Sequence, residues 1–105
     1  MNPDTTPALR PTVTVTLQTP IERKGSEPLN QLQLMKPRTG DLRGLLLAEV
    51  LQMKTDAVAT LLPRITQPTL LRHEVDELDP ADLVACAVEV AGFLVPKAAM
   101  DYQAA

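Results

Sequence analysis

Leu78-Asp79-Pro80-Ala81-Asp82-Leu83 opens a run of apolar and small residues that continues to Leu94. Asp79 suits the N-cap of a helix, where its carboxylate accepts a hydrogen bond from an orphan amide. Pro80 fits the first helical position, which has no donor to lose, and Asp82 lies near the positive helix end. Leu78 and Leu83 have the spacing of a hydrophobic staple. The pattern predicts a helix from Pro80 to about Leu94, ended by Pro96, which disfavours helical geometry at Val95. Between Leu83 and Val95 the only charged residue is Glu89. A helix that is apolar almost all round must be covered on two sides. Either the rest of the chain encloses it or one face binds something else, and the small residues Ala85, Ala87, Ala91 and Gly92 permit close packing in both cases.

Towards the N-terminus, Thr12-Val13-Thr14-Val15-Thr16-Leu17-Gln18 alternates strictly, so Val13, Val15 and Leu17 share one face of a half-buried strand. Leu32-Gln33-Leu34, extending toward Met35, alternates again. The connection between the runs holds Pro20, Gly25, Ser26 and Pro28, all turn-favouring residues. The two runs read as a β-hairpin. Two strands alone are marginal in water, so their apolar face needs a helix or another subunit as cover.

After Pro37 the period changes. Leu42, Leu45, Leu46 and Val50 predict a helix over about Gly40 to Met53, with Thr39 or Asp41 as its cap, although Gly44 is a poor helix former. A second helix is expected from Thr55 or Asp56 through Leu62, kinked or stopped by Pro63. A third, short one falls between Pro68 and Val75. The expected fold is therefore α+β, an N-terminal β-hairpin followed by a small helical bundle of three to four helices. Residues 1–11, with Pro3, Pro7 and Pro11, read as a flexible arm, residues 12–96 as a single domain and residues 97–105 as a C-terminal tail.

The chain has 105 residues, 45% of them hydrophobic but only 2% aromatic, so its core has to be aliphatic. Domains this small are marginal by themselves, which favours oligomerisation or a partner. A net charge of −3 is the wrong sign for a phosphate-binding surface, and two aromatics supply no stacking platform. No nucleic-acid partner is expected. The longest mostly apolar stretch, Leu83 to Val95, falls short of a bilayer span, and the opening residues lack a secretory pattern. With one cysteine there is no internal disulfide, and a reducing cytoplasm fits best.

Chemistry is scarce. Nucleophilic catalysis needs a nucleophile, a base and an orienting group, and the sequence offers one Ser, one Cys and one His. Cys86 falls in the apolar helix and reads as a small buried hydrophobe. His73, Glu74, Asp76, Glu77 and Asp79 read as a solvated helix end, since a transition-metal site needs a richer donor set. The glycines are isolated, so there is no phosphate loop. Arg23 and Lys24 read as ordinary surface. No catalytic residue, metal or cofactor is expected.

Several segments in order carry a family resemblance. They are Val13-Thr14-Val15-Thr16-Leu17 followed by Pro20-Ile21, then Met35-Lys36-Pro37-Arg38-Thr39-Gly40-Asp41-Leu42-Arg43, then Leu62-Pro63-Arg64-Ile65-Thr66. Last come Leu78-Asp79-Pro80-Ala81-Asp82-Leu83 and Glu89-Val90-Ala91-Gly92-Phe93-Leu94. Together they resemble the phage tail assembly chaperone family of Mu-like contractile-tailed phages, the tail assembly protein E group, over about Val13 to Pro96. The chain departs from that pattern at Leu71, where a Ser or Thr cap is common, and at Cys86-Ala87, where Leu-Gly is common.

The resemblance implies a non-enzymatic protein of the host cytoplasm that binds the tape-measure protein during tail morphogenesis and is absent from the mature virion. It also implies a contact with the tail-tube protein through a frameshifted longer product. On that footing Leu83, Val84, Ala87, Val88, Ala91 and Leu94 are the expected partner-binding or self-association face, and a homo-oligomer is expected among the partners. The alternative is a structural tail subunit retained in the virion, its hairpin adding strands to a neighbour's sheet.

Overall fold

Thr12–Ile21 and Leu29–Met35 form antiparallel strands β1 and β2 in the computed structural model, which describes residues 10–96. Of the expected arm, residues 1–9 lie outside the described residues, as does the whole of the expected tail from Lys97. The register pairs Thr12 with Met35, Val13 with Leu34, Thr14 with Gln33, Val15 with Leu32 and Thr16 with Gln31. Because side chains alternate across the sheet, Val15, Leu17, Leu32 and Leu34 are buried on one face. Thr12, Thr14, Thr16, Gln31 and Gln33 are exposed on the other.

β1 then runs three residues past its predicted end. Thr16 pairs with Gln31 but Ile21 pairs with Leu29, so β1 uses more residues than β2 over this step and bulges. A third strand, β3, is only Thr66–Gln67 and pairs with Leu34 and Gln33 of β2. The order is β1-β2-β3, with β1 at one edge.

Four helices follow the hairpin: α1 (Leu47–Leu51), α2 (Thr55–Ile65), α3 (Arg72–Asp76) and α4 (Pro80–Leu94). The architecture is the expected α+β one. α2 carries Ala57, Val58, Leu61, Leu62 and Ile65 at helical spacing and is buried on two sides. Val58, Ala59 and Leu62 join Leu32 and Leu34 from the sheet and Cys86 and Ala87 from α4 in the main core. Ala57, Leu61 and Ile65 join Val50 of α1 and Val90 of α4 in a second cluster. Each fully buried Leu in these clusters contributes about 2 kcal/mol through area removed from water. Pro63 does not stop α2, which continues to Ile65.

The segment Gly40 to Met53 corrects the expectation of one helix. Thr39–Leu42 is a single 3₁₀ turn, Gly44 takes φ +84, and regular helix resumes only at Leu47. Arg64 of α2 donates to the carbonyls of Asp41 (2.7 Å) and Arg43 (2.9 Å). Those acceptors are thereby satisfied by a tertiary partner instead of the amides one helical turn on. Asp41 accepts from the Arg38 amide and from the Arg10 guanidinium. Although burial opposes it, these bonds hold its carboxyl below the ordinary value.

α4 begins as predicted. Asp79 accepts from the Ala81 amide at 2.9 Å, and Leu78 is buried in the same core against which Leu83 packs. Asp82 does more than sit near a helix end. Only 3% exposed, its two carboxylate oxygens accept the consecutive amides of Gln18 (2.7 Å) and Thr19 (3.0 Å) in the β1 bulge. Asp79 adds bonds to the Thr19 hydroxyl and the Gln18 side chain. The helix start is thus clasped to the sheet.

Arg23 and Glu74 correct the reading of ordinary surface. Glu74, 6% exposed, accepts both Arg23 Nε and Nη2 at 2.8 Å, and Arg23 also donates to Thr69 O. The Glu74 carboxylate further accepts the Leu71 amide. It supplies from inside α3 the cap that Leu71 lacks.

Asp82→Ala leaves two part-buried amides unpartnered and is expected to lower stability by about 3 kcal/mol in urea unfolding. A loss below about 1 kcal/mol would show the clasp to be dispensable. The Arg23 hydrogen bonds hold the Glu74 carboxyl below its ordinary value. Its contribution is therefore fully present above the unfolded-state value near 4.5 and is lost as pH falls through the lower folded value. Arg23→Gln should be less stable than the wild type at pH 7, with the gap narrowing on acidification below pH 4.5. A gap that stays constant down to acid unfolding rejects the linkage.

Candidate partner-binding face

α4 lies over β1 and β2 with Cys86 and Ala87 directed into the main core and Val90 into the second cluster. Helical geometry then carries Val84, Val88 and Ala91, at i, i+4 and i+7, round to the other side. Val84 is 58% exposed and Val88 51%, with Ala91 half-buried beside them. The remaining residues expected on this face divide. Leu83 packs partly against the main core and Leu94 partly against the second cluster. Ala87 is 4% exposed. Its methyl faces the sheet because position 87 falls one residue after Cys86 on the inward side, so it is not available to a partner.

The structure therefore encloses α4 on the sheet side and the α1–α2 side and leaves an apolar outer stripe. α1 adds to it. This short helix touches α4 and buries only Val50, leaving Leu46, Leu47 and Leu51 exposed, with Met53 just beyond. Met53 has φ +58, a left-handed conformation in which Gly is the usual residue. Sequence reasoning placed Leu46 in the buried stripe of one long helix. The break at Gly44, whose poor helix-forming character is the local mark of it, rotates Leu46 out. The only charged residue among Leu83–Val95 is Glu89, itself exposed. A face of this kind, aliphatic and without aromatic anchors, suits contact with another apolar surface.

The other candidate chemistry is not assembled. Ser26 and His73 both line an open cleft with Glu22, Arg23 and Glu74. Among the described residues no hydrogen bond joins them. Cys86 is fully buried, and burial first, then the nearby Asp82 and Glu89 carboxylates, push its thiol up to about 11. Among the described residues no group of three or more His, Cys, Asp or Glu is placed to hold a metal ion, and no helix is long and apolar enough to cross a membrane.

Among the described residues the protein is a small α+β module with an aliphatic stripe exposed on α4. The chain belongs to the phage tail assembly chaperone family: the family model for phage tail assembly chaperone proteins, E, or 41 or 14, matches residues 14–95. Tail assembly protein E of Escherichia phage P2 is 46% identical over 82 residues, covering 78% of this chain and 89% of that protein. Tail assembly protein E′ of the same phage is 47% identical over 81 residues, covering 77% of this chain, which spans 56% of that longer relative. The family is a non-enzymatic one. No solved structure matches the chain significantly.

Burial governs access to Cys86. At pH 8 a maleimide should label it at least about a hundredfold more slowly in the native protein than in urea. Rapid native labelling would show that α4 detaches readily from the sheet.

Proposed function

We propose that this protein shields the tape-measure protein during tail assembly in the host cytoplasm and is left out of the mature virion. The observation that carries the reading is the outer stripe of α4, Val84, Val88 and Ala91, flanked by the partly buried Leu83 and Leu94 and extended by Leu46, Leu47 and Leu51. A long, helix-rich client exposes apolar stripes before its tube forms, and these would aggregate if left in water. An amphipathic client helix laid on the α4 stripe covers both surfaces. The absence of Trp and the exposure of aliphatic rather than aromatic groups keep each contact weak. Weak contacts let the growing tube displace the chaperone.

The family assignment and the α+β fold support this reading, as does the name of the P2 relative, tail assembly protein E. The longer relative E′ carries the same region within 56% of its own length. On the proposed scheme a frameshifted longer product of this chain would keep the client-binding stripe and bring the tail-tube protein to the client through its extension.

Co-expression of the full chain with the tape-measure protein of the same phage, followed by pull-down, tests the assignment. Val84→Asp and Val88→Asp change exposed positions and should leave stability within about 0.5 kcal/mol. Either should reduce recovery of the client at least about tenfold, since a buried unpaired carboxylate opposes binding. Undiminished recovery by folded variants, or stoichiometric presence of the chain in purified virions by mass spectrometry, rejects it.

A further inference from the structure

β1 is an edge strand, and between Thr12 and Thr16 its outer side has no strand partner among the described residues. The direction of its backbone groups follows from the ladder. Lys36 donates its amide to Pro11 O at 2.8 Å, which marks that pair as a bonded one. Alternation then makes Val13–Leu34 and Val15–Leu32 the bonded pairs and turns the N–H and C=O groups of Thr12, Thr14 and Thr16 away from β2.

Proteins blunt such edges with charge, proline, a bulge or a covering element. Here the protections stand only at the ends. Pro11 precedes the segment, and the bulge clasped by Asp82 follows it. Between Thr12 and Thr16 there is no charge, proline or bulge.

The exposed segment is also a palindrome: Thr12-Val13-Thr14-Val15-Thr16 reads the same in both directions. Antiparallel pairing with itself about Thr14 sets Thr14 against Thr14 of a second copy, Thr12 against Thr16 and Val13 against Val15. Every outward-facing backbone group of Thr12, Thr14 and Thr16 then meets a partner, and the side chains stay on matching faces. Val13, half-buried at the edge, gains cover from the second copy's Val15, while threonines face threonines outside. Both ends of the seam repeat the same pairing, as a two-fold contact requires.

We propose that β1 is a homodimer seam, two copies joining their three-stranded sheets into one continuous sheet about a two-fold axis at Thr14. The seam is independent of client binding, because Val84 and Val88 lie on the side of α4 away from the sheet.

The test uses the full chain alone. At about 50 μM it should sediment as a dimer. Thr14→Pro removes an outward amide that the hairpin's own ladder does not use, and Thr14→Lys sets like charges face to face across the axis. Each should weaken the dimer at least about tenfold with unchanged circular dichroism; if the proline variant misfolds, the lysine variant gives the same reading. Thr14→Cys, whose two copies would stand directly opposite each other, should be cross-linked into a dimer by a short bis-maleimide far faster than Thr12→Cys, which faces Thr16. A monomeric wild type, a dimer unaffected by Thr14→Lys, or an edge that pairs only with a strand of a different protein overturns the seam.

Discussion

The carboxylate of Asp82 ties the start of α4 to the sheet and sets how the two layers meet over their shared core. It lies in the first turn of α4, yet the amides it accepts belong to Gln18 and Thr19, more than sixty positions earlier in the chain. Consecutive amides can point to one side only where a strand bulges, so the irregularity in β1 and the placement of α4 are one feature. The clasp fixes how α4 crosses the sheet and therefore which of its residues enter the core. With Cys86, Ala87 and Val90 committed inward, Val84 and Val88 have to face out.

A core whose buried residues are aliphatic or small, with only the partly buried Phe93 packed against it, has little volume to fill a gap between layers, and α2 meets this by being buried on two sides. Its Val58 and Leu62 reach the sheet while Ala57, Leu61 and Ile65 reach α1 and α4. No further layer among the described residues covers the outside of α4 or α1. The apolar area left there is what a small aliphatic domain cannot enclose with its own mass. On the proposed function that surplus is the surface offered to a client, and its weakness per contact suits temporary association.

The strands β1 and β2 and the helix α4 were legible because each has a local cause: strict alternation in Thr12 to Leu17, and the Asp79-Pro80 cap in front of α4. The segment after Pro37 was not. Its leucine spacing matches a helix, but Gly44 in a left-handed conformation breaks it, and Arg64 holds the freed carbonyls from another element. Arg23 was misread for the same kind of reason. Its partner Glu74 is 51 positions away, and nothing near Arg23 announces it. β3 is two residues long, too short for alternation to show. The sequence does not separate Ala87 from Val84 and Val88, because a helix apolar all round gives no clue to its orientation.

Composition and pattern thus settled an aliphatic α+β chain with a hairpin and a capped apolar helix, because these follow from period, caps and residue chemistry within a few positions. The orientation of α4, the break before α1 and the burial of Glu74 came from contacts between distant segments. Which side of an almost uniformly apolar helix faces inward is set by where its first turn is anchored, and that anchor, Asp82 on the bulge of β1, exists only once the chain has folded.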